Sequence, residues 1–322
     1  MRSLHILLRS VQDLHNKSMK TNYPLSIIYI LTILAMFFWS IAFIWVRQAY
    51  DLGLQPLTVV FLRLVVASVV LTIVTKLLKI NETIDKSDYK FIFFLAFSEP
   101  FCYFLGESFG MLFVTPTLAA LIVSTIPLIA PIFAWLFLKE KVGIYEIIGL
   151  LVSFLGVLIL VIDDLNLGGK LIGILLMLIA VIGGTSYMII LKVLADKYPA
   201  LTITKYQTYI GMLLFMPLFF IFDFKGFFAM GSNSISSLRY IFLLGALPSS
   251  FSFTFLAVAV RKLGVTKTNI FTNLIPVFVG LLSFFILKEP FTTAKIIAIA
   301  VVITGLFISQ WEKIKTAMRS RY

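Results

Sequence analysis

LIVSTIPLIAPIFAWLFLKEKVGIYEIIGLLVSFLGVLIL (121–160) can be laid over IFTNLIPVFVGLLSFFILKEPFTTAKIIAIAVVITGLFI (270–308). Pro127 pairs with Pro276, Lys139-Glu140 with Lys288-Glu289 and Gly156 with Gly305, each pair 149 positions apart. A weaker correspondence, offset by 144, joins Leu57-Thr58 to Leu201-Thr202, Arg63 to Gln207 and Ala67 to Gly211. The chain therefore reads as two copies of one unit, a reading that precedes any assignment of single residues.

Composition gives the environment of that unit. Hydrophobic residues make up 60% of the 322 positions and charged residues only 13%, with a mean hydropathy of +1.04. A water-soluble domain carries about 25% charged residues, so there is too little polar surface here to cover a globule in water. The class is an all-α polytopic membrane protein. Ten runs are long and apolar enough for membrane helices of about 20 residues. They cover 25–46, 57–78, 91–112, 116–137, 144–162, 171–191, 202–222, 238–260, 266–287 and 294–311.

The unit is thus five spans long. Five is odd, so the second copy enters from the opposite side, and the two LKE stretches fall on opposite faces. Expected boundaries are a segment at 1–24, a first five-helix repeat at 25–162, a linker at 163–170, a second repeat at 171–311 and a basic tail at 312–322. Residues 1–18 are either a short interfacial helix or an extension upstream of Met19-Lys20. Inverted repeats around a central cavity are an architecture of alternating-access transporters.

The net charge of +12 does not call for nucleic acid, whose partners carry one contiguous basic face. Lys and Arg lie instead in short clusters between spans, mostly on one side. Only Arg47, Lys170, Lys225, Arg239, Lys288 and Lys295 fall on the other. By the positive-inside rule both termini are expected in the cytoplasm, in a multi-pass protein of the plasma or inner membrane. His5 and His15 precede every span and Cys102 is the single cysteine, so a His/Cys metal site within the membrane is excluded. No GxSxG, Walker A or other motif calls for a catalytic constellation, a nucleotide or a cofactor.

In FSEPFCYFLGESFG (97–110), Glu99, Tyr103 and Glu107 follow the i, i+4, i+8 spacing of one helical stripe. A carboxylate facing hydrocarbon costs at least about 2.5–3.5 kcal/mol, so the stripe must face the interior of the bundle. Pro100 removes one backbone bond beside Glu99 and should kink the helix. On a straight helix Glu99 lies about 12 Å into the membrane and Glu107 about 24 Å. Arg63 on the preceding span comes level with Glu107, which predicts a structural or gating ion pair. Glu99 has no cation at its depth and is a candidate proton carrier or counter-charge for a substrate amine. Neutral polar groups from the second copy complete the candidate site: Ser249, Ser250 and Ser252 in span 8, with Asn269, Thr272 and Asn273 in span 9.

FFWSIAFIWVR (37–47), LTVVFLRLVVA (57–67) and the doubled Pro–LKE–Gly pattern resemble the drug/metabolite transporter superfamily in its EamA-like branch. The resemblance covers nearly the whole chain from residue 25. It implies ten helices around a cavity that passes a small-molecule substrate, with export of metabolites such as amino acids, or of drugs. It also implies that Trp39 and Ser40 belong to a first-helix motif, with Tyr187 the corresponding aromatic in span 6. Spans 5 and 10 would then be peripheral, at a contact between two copies in a homodimer. The competing readings are a passive channel and, less favoured, a polytopic membrane enzyme.

Overall fold

Proline positions begin several of the helices. Pro56 and Pro116 sit at first helical positions, where no intrahelical N–H is lost and the fixed φ already suits a helix. At the second of these the Thr115 hydroxyl accepts a bond from the Leu118 N–H. The structure is a computed structural model that describes residues 24–80, 83–129, 143–163, 167–229, 233–265, 268, 271–290 and 292–319. All regular structure among these residues is helical.

In chain order the helices are α1 (Leu25–Asp51), α2 (Pro56–Leu77), α3 (Tyr89–Ala96), α4 (Tyr103–Gly110), α5 (Pro116–Val123), α6 (Ile144–Asp163) and α7 (Leu167–Ala195). Then come α8 (Ala200–Leu218), α9 (Phe224–Ala229), α10 (Asn233–Ala246), α11 (Phe253–Leu263), α12 (Leu274–Ile286) and α13 (Thr293–Arg319). Wider helical turns join α3 to α4, α8 to α9 and α10 to α11. Five continuous stretches are long and apolar enough to cross a membrane: 25–51, 56–77, 170–195, 200–229 and 238–263. Four shorter apolar helices lie at 116–129, 147–159, 274–286 and 293–309. The span expected at 91–112 is not one straight rod, because the chain breaks helical geometry at Glu99 (φ −149°, ψ 120°).

The first and second halves interlock. Helix α2 packs against α8 and α10, α1 against α11 and α12, and α7 against α4 and α5. Helix α6 packs chiefly on α13, and Val157, Ala298 and Val302 of that pair join the buried core. That pair approaches closely: a Cβ on Gly149 would meet the Gly305 carbonyl at 2.5 Å, and Ser153 donates to the Val302 carbonyl at 3.1 Å. Close backbone contact through small residues and a hydroxyl bond is how helices associate where lipid removes the hydrophobic drive.

Polar contacts hold the helix ends. At the start of α2 the Asp223 carboxylate accepts from both the N–H and the hydroxyl of Thr58. Nearby, at the start of α5, Thr117 donates to Glu289, which also pairs with Lys295 at 2.8 Å. At the other end of α2, about 30 Å away by helix length, Asp88 takes both Lys197 (2.9 and 3.0 Å) and the Tyr198 hydroxyl (2.8 Å). The first LKE stretch, at 138–140, lies outside the described residues.

The Asp88 contacts make a pH-dependent joint. Bonds from Lys197 and then Tyr198 hold its carboxyl below the usual carboxylate range. Burial and neighbouring carboxylates push the Tyr198 phenol up to about 12, so it stays a donor. A depressed carboxyl contributes stability above its unfolded value of about 3.9 and loses it as pH falls through the folded value. In thermal unfolding, Asp88→Asn should therefore melt below the wild type at pH 7, and the gap should close as the pH falls below about 4. A gap that is constant down to pH 3 would detach the joint from this carboxylate.

Candidate functional site

Where α1, α2, α4, α5, α7, α11 and α12 converge, the bundle leaves a cavity with about 690 Å³ of space unfilled by atoms, its opening to solvent included. Its polar wall is made by Arg63, Glu99, Tyr103 and Glu107, and its aromatic wall by Trp39, Phe43, Phe104 and Tyr187. Thr272 adds a hydroxyl residue from the segment before α12. Pockets that are mostly apolar with a few converging polar groups suit small molecules.

The break at Glu99 is what turns that residue toward the cavity. Ser98 and Pro100 are wedged between two helices that carry glycines at the contact. A Cβ on Gly183 of α7 would lie 2.7 Å from the Ser98 carbonyl, and one on Gly211 of α8 would run into the Pro100 ring. Any larger residue at either position would push the broken segment away. Glu99 is buried and makes no hydrogen bond among the described residues, while lining the cavity.

Arg63 is 2% exposed. Its Nε–H donates to the Ser249 hydroxyl at 2.9 Å, and its guanidinium lies 4.2 Å from the centre of the Phe104 ring. The expected Arg63–Glu107 ion pair is absent: no ion pair joins them, and Glu107 instead accepts from the Tyr103 hydroxyl at 3.3 Å. The two share a cavity wall rather than a contact. Arg63 also lines the same cavity as Glu99, which an ideal rod would put at a different depth. Depth counted along a straight helix does not survive the break between the two glutamates.

The other expected residues divide. Trp39 and Tyr187 reach the cavity, and Tyr187 also donates to the Gln207 side chain at 3.3 Å. Ser40 does not line it; its hydroxyl bonds the Met36 carbonyl one turn back, the usual use of serine in an apolar helix. Ser250 likewise bonds back to Gly245, and Ser252 is buried away from the lining. Asn273 is buried outside the lining, and its amide atoms find no hydrogen bond among the described residues. Asn269 lies outside the described residues. Phe104 was missed: one phenylalanine among 32 carries no mark in the sequence that it will support an arginine.

A family model described as the EamA-like transporter family matches residues 26–162 and again 171–311. The chain belongs to the EamA-like transporter family. It is a multi-pass membrane transporter, not an enzyme. Among its relatives, an uncharacterized transporter YetK of Bacillus subtilis is 28% identical over 262 residues, covering 78% of this chain and 77% of its own. An uncharacterized transporter of Archaeoglobus fulgidus is 23% identical over 280 residues, covering 87% and 97%. A solved crystal structure is similar with a TM-score of 0.66 at 14% identity, over 88% of this chain and 96% of that one, a likeness of fold alone.

The Arg63–Ser249 bond is directly testable. A hydrogen bond to a charged group contributes about 1.5–3 kcal/mol. Ser249→Ala should lower unfolding stability by about that amount in the wild type, and by little in an Arg63→Met background. Equal losses in both backgrounds would show that the two residues are not coupled.

Proposed function

We propose that this EamA-like protein is a secondary transporter working by alternating access, exporting small amine-bearing metabolites such as amino acids, or drugs, with a proton as the coupling ion. The observation that carries the reading is the cavity itself: two carboxylates and one guanidinium among aromatic walls, inside a bundle of apolar helices. A buried charge is retained at this cost only where it is paired or used. Glu107 is held by Tyr103 and Arg63 by Ser249. That leaves Glu99 as the acid to exchange a proton or meet a substrate amine, with Trp39, Tyr187 and Thr272 shaping the remaining wall.

The architecture in this reading is ten spans in two inverted five-helix repeats, at 25–162 and 171–311. The double match of the family model supports it. So do the two wide-turn breaks, 97–102 and 247–252, which are equal in length and 150 positions apart. With the breaks aligned, Glu99 corresponds to Ser249 rather than to Pro248, the position that a 149-residue offset gives. One copy then contributes an acid to the cavity where the other contributes the hydroxyl that anchors Arg63. Both termini are cytoplasmic, in the plasma or inner membrane, and a second copy would meet this one through the peripheral α6 and α13.

Orientation is tested with single cysteines at Lys79 and Lys288 in a background lacking Cys102. An impermeant thiol reagent should label them from opposite faces; labelling from the same face ends the inverted-repeat reading.

For mechanism, Glu99→Gln keeps the shape and removes the charge, so the protein should fold. In proteoliposomes, transport driven by a pH gradient should fall at least tenfold, while exchange between equal compartments persists if Glu99 carries the proton. If it binds the substrate amine, both fall together. Wild-type transport with unchanged pH dependence would make the residue structural.

A further inference from the structure

The seam between α2 and α8 carries a feature unrelated to the cavity. The two helices run antiparallel. Phe61 stacks on Phe219 with ring centres 4.8 Å apart, and further along the Thr72 and Tyr209 hydroxyls bond each other at 2.5 Å. One turn beyond that bond, in the same direction along the seam, α2 places Lys76 and α8 places Lys205. The Lys205 ammonium lies 5.9 Å from the Tyr209 ring centre and 6.0 Å from that of Tyr206. Neither lysine has an ion-pair partner among the described residues. Of the acids described at this end, Asp88 is engaged by Lys197 and Tyr198 and Asp196 by Lys192, and Asp85 lies 3.2 Å from the Tyr198 hydroxyl and forms no ion pair with either seam lysine.

Away from the lysines the same seam is apolar and open. Val69 and Ile73 of α2 and Leu213 and Met216 of α8 are all exposed; Val69, Leu213 and Met216 lie on the side of the Thr72–Tyr209 bond that leads into the membrane, and Ile73 lies between that bond and Lys76. Two like charges held level at the end of an apolar groove repel each other unless an anion sits between them. Basic pockets between membrane helices are suited to anionic headgroups.

We propose that this seam is a binding site for one anionic phospholipid, its phosphate between Lys76 and Lys205 and an acyl chain along Val69, Ile73, Leu213 and Met216. The occupant is a lipid rather than a free phosphate because the groove continues about 15 Å past the lysines as hydrocarbon-facing surface. The leaflet is the cytoplasmic one in the orientation given above. The site joins a helix of the first half to one of the second, so occupancy ties the two together at their shared edge.

The test uses the full chain in detergent and native mass spectrometry, with phosphatidylglycerol and phosphatidylcholine of identical acyl chains. Each lysine should contribute about fivefold to affinity for the anionic lipid. One phosphatidylglycerol should therefore bind at least tenfold more tightly than phosphatidylcholine, and its binding should raise the melting temperature. Lys76→Gln with Lys205→Gln should abolish that preference, Lys76→Arg with Lys205→Arg should keep it, and Lys79→Gln with Lys90→Gln should leave it unchanged. Equal loss in the Lys79/Lys90 variant would mean diffuse charge attraction and overturn the site. So would a preference that survives the Lys76/Lys205 glutamine pair, or competition by millimolar glycerol 3-phosphate as effective as the lipid.

Discussion

A guanidinium and two carboxylates inside an apolar bundle impose the main constraint on this molecule. None of the three can face hydrocarbon cheaply, so α2, α4 and the break before α4 must turn their charged sides toward a common space. Arg63 is the best anchored, between the Phe104 ring and the Ser249 hydroxyl. That anchor comes from the other half of the chain, 186 positions away. The charge that a helix of the first half cannot leave exposed is therefore satisfied only when the second half is folded beside it.

The cavity is made possible by removing helical regularity at one place. A continuous helix would carry Glu99 and Glu107 on a drifting stripe at different depths. The extended residue at Glu99 lets both line one space, and Gly183 and Gly211 give the broken segment room. Irregular backbone within a membrane is tolerated where it is buried in protein or lines a cavity, and here it does both. The ends of the bundle are tied by polar contacts between halves: Thr58 to Asp223 and Thr117 to Glu289 at one end, Asp88 to Lys197 and Tyr198 at the other. An alternating-access movement would have to loosen one set while keeping the other.

Much of this was legible from sequence because membrane solvation leaves coarse marks. Apolar run length located the helices, Pro100 marked the break, and the cost of intramembrane carboxylates turned Glu99, Tyr103 and Glu107 inward. What failed was partner choice. Arg63 was matched to Glu107 by depth and sign, but depth along an ideal rod is lost at the break, and hydroxyl partners leave no charge pattern to match. Ser40 and Ser250 show the same limit. A serine in a helix can satisfy itself on the carbonyl one turn back, as Ser40 does, so its presence says little about a cavity. Phe104 could not be singled out, since nothing in one aromatic among many tells which will lie under a cation.

The tight contact between α6 and α13 bears on how mutational data for such a protein are read. Gly149, Ser153 and Gly305 lie far along the chain from any charged cavity residue, on a helix pair that contributes nothing to the cavity lining. Yet their backbones are so close that almost any side chain would separate them. In a saturation scan scored by transport, these positions would rank beside the cavity residues in intolerance. Their signature would be loss of protein from the membrane, with unaltered substrate preference in whatever remains. Intolerance alone would therefore map two different things in this fold, a polar cavity and a packing strut that does not line it.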